Sequence, residues 1–324
     1  MERTTSLDPD GPRTEKRYLR LAAIAAIPCV LAGMYRFGLR VPAMLAVAWA
    51  IGAAAEYATD LLRRRTSPKT FLTFGLLFVL ILPPGIPLWM VAVGMLFVIL
   101  IGKEVFGGSG CYLLSPPLLG LSFLMLSYPV IMTGSYLLPG EGLWGMAGRY
   151  VDPSVAGALV RETPLTLARQ GVATPVDKLL WGGTPGCIGE GVTSAVLIGG
   201  AFLLLMRAID WRTVSGMLGA FLLMEVLLSP FPGRAGVPTG WNMLAGGLLF
   251  GAFFLAPDPA TAPATRLGRL VFGALVGAGA LLLRRFSATP DDVGVAILLG
   301  NILVPFVNLL MKRRGGLDAQ PAEG

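Results

Sequence analysis

The chain has no histidine, only three cysteines, and charge on just 14% of its residues. Each shortage removes a class of function. Without histidine, a His-ligated haem or a His-based metal site is excluded from this chain. Cys29, Cys111 and Cys187 lie far apart and match no Cys-x-x-Cys spacing, so they do not read as zinc or iron–sulfur ligands. A soluble domain carries roughly 25% charged residues. The deficit here, with 54% hydrophobic residues and a mean hydropathy of +0.70, marks a polytopic membrane protein whose main partner is the lipid bilayer. No short apolar run is followed by a small-residue cleavage site, so no cleavable signal peptide is expected.

The net charge of +7 does not point to nucleic acid. The basic residues sit in short segments between apolar runs, as the positive-inside rule expects. Ten apolar segments are read, at about 20–37, 41–59, 70–83, 87–102, 115–133, 188–206, 213–231, 241–256, 268–284 and 292–311. With both termini cytoplasmic, 17 of the 26 Lys and Arg fall on the inner side and 9 on the outer side, which puts 134–187 outside. The division is then a tail at 1–19, five spans over 20–133, the extracytoplasmic segment 134–187, five spans over 188–312 and a tail at 313–324. The terminal stretches 1–18 and 317–324 read as disordered. A repeat unit of five spans must be inverted, so the expected fold is all-α, with about ten transmembrane helices in two inverted five-helix repeats. Several spans are shorter than the ~20 residues a straight crossing needs. Such helices persist at membrane depth only where they are buried in protein or line a cavity.

Several residues could carry chemistry, each with a plain structural reading beside it. Phe106-Gly107-Gly108-Ser109-Gly110 after Lys103 could cradle a phosphate, or simply make a tight turn. Ser115 before Pro116-Pro117 reads as a helix N-cap, or as the start of a half-helix facing an anion or a flavin carbonyl. Glu190 lies at the edge of the sixth span, and Asp258 sits in an Asp-Pro turn. Glu225 is the one acid deep in an apolar run; it is protonated, paired, or on an ion path. Lys103 is read as an ion-path residue or as a packing group. Asn301 and Asn308, seven apart, share a helix face suited to interhelical hydrogen bonds. Thr163, taken by itself, is a turn residue before a proline.

Taken in order, a set of short motifs resembles the RnfD/NqrB family of membrane redox subunits. They are Gly33-Met34-Tyr35-Arg36-Phe37-Gly38; Thr73-Phe74-Gly75-Leu76-Leu77; Leu82-Pro83-Pro84-Gly85-Ile86-Pro87-Leu88-Trp89; and Ile101-Gly102-Lys103-Glu104-Val105-Phe106-Gly107-Gly108. The second half adds Gly182-Gly183-Thr184-Pro185-Gly186-Cys187-Ile188-Gly189-Glu190, Ala256-Pro257-Asp258-Pro259 and Ile297-Leu298-Leu299-Gly300-Asn301. The family includes subunits of the Rnf ferredoxin:NAD oxidoreductase and of the sodium-pumping NADH:quinone oxidoreductase. The length of this chain is closer to the shorter Rnf-type subunit.

The resemblance implies an architecture similar to urea transporters. It also implies FMN joined by a phosphoester to an outer-side threonine, here Thr163, within Thr163-Pro164-Leu165. Ser115 and Glu190 become candidate flavin contacts, and Glu225 and Lys103 candidate ion-path residues. It further admits a second, non-covalent flavin, a quinone, and partner membrane and peripheral subunits in a bacterial-type cytoplasmic membrane. The flavin would carry the redox chemistry and the protein would position and tune it. Two departures stand out. The family's attachment motif resembles Asp/Ser-Gly-x-Thr-Ser/Gly-Ala-Thr, whereas this chain has Gly157-Ala158-Leu159-Val160-Arg161-Glu162-Thr163. The family's Asn-Pro before the fifth span is Ser115-Pro116 here. The competing expectations are a flavin-free structural or quinone-binding subunit of another redox complex, and a channel or secondary transporter.

Overall fold

The computed structural model describes residues 11–64, 68–140, 162–170, 172, 174–229, 240–287 and 292–315. Gly157–Arg161 and the extreme termini lie outside the described residues, as does most of the 134–161 stretch before Glu162. Among the described residues every regular element is helical. The first half contains α1 (Gly11–Ala25), α2 (Ile27–Phe37), α3 (Arg40–Arg63), α4 (Phe71–Leu80), α5 (Leu88–Ile99), α6 (Pro116–Ser127) and α7 (Pro129–Thr133). The connecting segment holds α8 (Pro164–Arg169) and α9 (Val176–Trp181). The second half contains α10 (Thr193–Leu205), α11 (Trp211–Leu228), α12 (Trp241–Leu244), α13 (Leu248–Phe250), α14 (Arg266–Phe286) and α15 (Asp292–Gly315). Two π-helical turns, Leu100–Glu104 and Gly251–Leu255, continue α5 and α13.

Among the described residues five segments are long and apolar enough to cross a bilayer: Glu15–Phe37, Arg40–Arg63, Trp211–Leu228, Arg266–Phe286 and Asp292–Lys312. The other expected spans correspond to shorter apolar helices, Phe71–Leu80, Pro116–Ser127 and Thr193–Leu205, or to helices extended by a π turn. Large apolar side chains such as Leu223, Leu227, Phe306 and Leu310 point outward, as lipid-facing positions do.

The short helices are workable because buried side chains satisfy the backbone groups they free. α4 stops at Pro83-Pro84, neither of which has an N–H to continue the ladder. Gly189 N–H donates to Leu80 O at 2.7 Å and Ile188 N–H to Leu82 O at 3.2 Å, so the connecting segment completes this helix end. Arg40, 2% exposed, donates to the carbonyls of Pro84 and Ile86. At the start of α4, Glu56 accepts from the Phe71 N–H at 3.0 Å and from Thr70. Glu225 on α11 does the same in the second half: it accepts from the Gly240 N–H at 3.1 Å and from the Asn242 amide, ahead of α12. Each acid precedes the N–H it caps by 15 residues.

α11 and α14 meet through glycine. A Cβ on Gly273 would collide with the Thr213 carbonyl oxygen, and one on Gly277 with that of Met217. Backbone cannot move aside as a flexible side chain can, so Gly277→Val forces the helices apart. The expected cost is about 3 kcal/mol, the upper part of the overpacking range. Thermal unfolding in detergent measures it, and a midpoint equal to the parent's would refute the tight contact.

Candidate functional site

One polar cleft lies where the connecting segment covers the helix ends. Its walls are the start of α8 (Thr163, Pro164, Leu165), the turn from Thr184 to Cys187, Glu190 and Gly191 ahead of α10, the Leu244–Gly247 break and the first residues of α15, Asp292 and Val293. Leu121 and Met125 of α6, with Tyr136, complete it.

The local sequence explains this geometry. Thr163 has extended backbone (φ −68°, ψ 157°) and Pro164 follows at the first helical position, so Thr163 is the N-cap of α8. Its Oγ1 accepts from the Thr166 N–H at 3.4 Å and lies 2.9 Å from the Thr166 hydroxyl. Leu165 packs toward Gly246, whose φ of +72° is a left-handed conformation that suits glycine. A small apolar cluster of Ala168, Leu179, Trp241 and Ala245 anchors α8 beneath the cleft. Trp241 Nε1 donates to Thr174 O at 2.8 Å, and Thr193 donates to Leu179 O at 2.9 Å. The connecting segment is thus tied to both α12 and α10.

The far wall is held by charge. Arg284, 1% exposed, forms a two-pronged ion pair with Asp292, one contact being 3.3 Å between Nη2 and Oδ1. Its Nη1 donates to the carbonyls of Asn242 and Ala245, and its guanidinium carbon sits 5.2 Å from the Phe221 ring centre. Asn242 in turn donates to Glu225. The non-helical Ala245–Gly247 stretch therefore has a dedicated donor for a carbonyl that the break leaves outside a helix. A Cβ on Gly247 would collide with the Glu190 carboxylate, which places that carboxylate against the glycine wall.

Of the residues singled out in the sequence, Thr163, Pro164, Leu165 and Glu190 come together in this cleft. Ser115 does not. It is buried at the N-cap position of α6 without a side-chain cap hydrogen bond, six residues from Leu121, the first α6 residue in the cleft. Lys103, fully buried, pairs with Glu56 at 2.7 Å and with Glu104 at 3.3 Å, away from the cleft. Glu225 supports the cleft wall through Asn242 without lining the cleft. Asn308 accepts from the Ala264 N–H at 3.2 Å, whereas the buried Asn301 has no hydrogen-bond partner among the described residues. The Gly107–Gly108 turn returns its N–H groups to Glu104 O and Lys103 O, so it closes a π-helical turn. Sequence reading missed Arg284, Asp292 and Asn242. A charged pair flanking the last apolar connection was the available signal for the first two.

The donor set bears on whether FMN suits the cleft. Among the described residues Arg284 borders the cleft, already committed to Asp292, and Lys178 of α9 packs against Gly183 beside it. An ester to Thr163 would tether the phosphate without a dedicated counter-charge. The half-buried Thr163 can carry such a group at the cleft edge. A Cβ on Gly186 would meet nothing within 4 Å, which leaves open space beside the opposite wall. The residues fit a tethered flavin.

The fold and cleft define a multi-pass, all-helical membrane protein with a polar site at one end of its helices. The chain belongs to the NQR2, RnfD, RnfE family, whose model matches residues 10–315. It is 36% identical over 275 residues to a subunit of the Na(+)-translocating NADH-quinone reductase of Ectopseudomonas mendocina, covering 81% of this chain and 64% of that protein. The corresponding protein of Azotobacter vinelandii is 37% identical over 272 residues, with the same coverage. That of Chromohalobacter salexigens is 34% identical over 288 residues, 84% of this chain and 67% of the relative. The chain thus spans about two thirds of the length of these relatives.

Proposed function

We propose that the protein is a membrane subunit of an ion-translocating redox complex in a bacterial cytoplasmic membrane, and that it carries electrons through FMN esterified to Thr163. The observation that carries the flavin assignment is the meeting of Thr163-Pro164-Leu165 with Glu190 and the glycine wall in one cleft. When bound, the flavin supplies the electron-transfer chemistry. Thr163 would tether its phosphate, and Glu190 would accept a hydrogen bond from a ring N–H. The relatives are named as subunits of a Na(+)-translocating NADH-quinone reductase, which supports a redox-driven ion pump with further subunits as partners. Their name does not favour the Rnf-type subunit over its quinone-reducing counterpart.

Two aspects of architecture belong to the same reading. The equal 15-residue spacing of Glu56 and Glu225 to the backbone groups they cap supports two inverted five-helix repeats. The charge distribution supports an extracytoplasmic cleft.

The altered run Gly157–Glu162 favours a second reading, a flavin-free structural or quinone-binding subunit. One experiment separates the two. The native chain, produced in cells that flavinylate a control protein, is expected to fluoresce in a denaturing gel, with FMN mapped by mass spectrometry to the Thr163 peptide. Thr163→Val is expected to abolish the label completely. A dark native band would sink the flavin assignment, and label retained in the variant would sink the site.

A further inference from the structure

We infer that Glu15, Tyr112 and Asp258 form a proton-sharing clasp, which joins the first membrane helix to the turn after the second π-helical segment and opens as pH rises. None of the three residues lines the cleft, and they do not depend on the flavin assignment. Tyr112 Oη is 3.0 Å from Asp258 Oδ2, 3.3 Å from Oδ1 and 3.5 Å from Glu15 Oε1. Glu15 and Asp258 are each 4% exposed and Tyr112 is 2% exposed. Glu15 belongs to the first half of the chain and Asp258 to the second, so the clasp bridges both.

The chemistry follows from proton counting. A phenol has one proton and donates to one carboxylate at a time. If both acids are ionised, two buried anions face each other across a single hydroxyl. Like charges sharing a buried site do not ionise together; one keeps its proton and the pair titrates as a unit. The neighbours leave this imbalance in place. Asp258 accepts from the Ala260 N–H at 3.0 Å and Glu15 from the Gly110 N–H. Tyr18, the next titratable group, donates to Phe254 O at 2.6 Å. Lys103 faces Glu15 but is in contact with Glu56 and Glu104. Among the described residues no group of three or more His, Cys, Asp or Glu comes together that could hold a metal ion. Backbone N–H groups aimed at the carboxylates also suit anions and shared protons more than a metal ion.

Burial pushes the Asp258 carboxyl up from 3.8 to about 6, and holds the Tyr112 hydroxyl well above its usual range, so that it stays a donor. The sign for Asp258 is that of an acid favoured in its neutral form by the fold. Its stabilising contribution is complete below pH 3.8 and is lost as pH rises through about 6. The clasp is therefore closed in acid and strained in base.

Infrared titration of the protonated-carboxyl band of the full-length chain in nanodiscs tests this. The parent is expected to show a band that Asp258→Asn alters and that disappears as pH rises. Glu15→Gln removes the second acid of the coupled pair, and the midpoint is expected to fall by about one pH unit, a tenfold change in proton affinity. Tyr112→Phe keeps the ring edge-on to Phe74 but deletes the hydroxyl that favours the ionised acids, so its midpoint is expected to rise. These opposite shifts cannot arise from a general loss of folding. Midpoints that do not move in either variant would overturn the clasp. So would a parent band abolished by sodium ions at constant pH, which would make the group a cation site.

Discussion

Arg284→Met is expected to destabilise the fold by about 3–5 kcal/mol, the usual consequence of removing one partner from a buried ion pair. The loss has two sources. Asp292, 4% exposed, is left without its guanidinium partner, and the Asn242 and Ala245 carbonyls lose a buried donor. The non-helical Ala245–Gly247 wall depends on that donor, so the cleft should open along with the loss of stability. Arg284→Lys is not a rescue, because an ammonium cannot reproduce the fork that spans a carboxylate and two carbonyls. Arg284→Met with Asp292→Asn should recover part of the loss by removing the stranded charge. The measurement is thermal unfolding of the purified chain in detergent, with covalent flavin content read on the same samples. A single variant as stable as the parent would show that the pair does not hold the wall.

Lys103→Met is expected to be nearly as damaging, again by about 3–5 kcal/mol. Lys103 is fully buried beside Glu56 and Glu104, and its removal leaves two carboxylates facing each other; Glu104 retains only a 3.4 Å contact with Arg63. Glu56→Gln in the same chain should restore much of the stability, because glutamine still accepts from the Phe71 N–H. This double variant also tests the ion-path assignment of Lys103. If it is stable and still supports ion movement in the assembled complex, Lys103 is a packing and capping residue. If it is stable but ion movement is lost, the lysine is part of the path.

Much of this fold was legible in the chain. The Arg266–Phe286 and Asp292–Lys312 helices are long apolar runs bounded by charge. The break after α4 is written in Pro83-Pro84-Gly85, because proline removes the N–H that the next turn needs. The break inside the eighth span was not legible. Gly246-Gly247 in an apolar run suits a close helix contact as well as a left-handed turn, and the choice depends on Arg284, 39 residues beyond Ala245, donating to the Ala245 carbonyl. Glu225 shows the same limit. Its position in an apolar run was plain, but its partners, Gly240 and Asn242, lie 15 and 17 residues further along the chain.

The candidate site divides likewise. Motif likeness selected Thr163, Pro164, Leu165 and Glu190, and the structure brings them together. The same reasoning grouped Ser115 with them, yet Ser115 lies at the far end of α6 from the cleft, because only α6 residues from Leu121 onward reach that face.

From its sequence alone the chain is determined as a helical membrane protein with interrupted spans, because hydropathy and the missing N–H of proline act locally. Which charges are paired, which carbonyls are capped and which loop residue faces which wall were decided by the tertiary structure alone. A buried polar group must find its partner wherever the folded chain brings one near, and at membrane depth no water can take that partner's place.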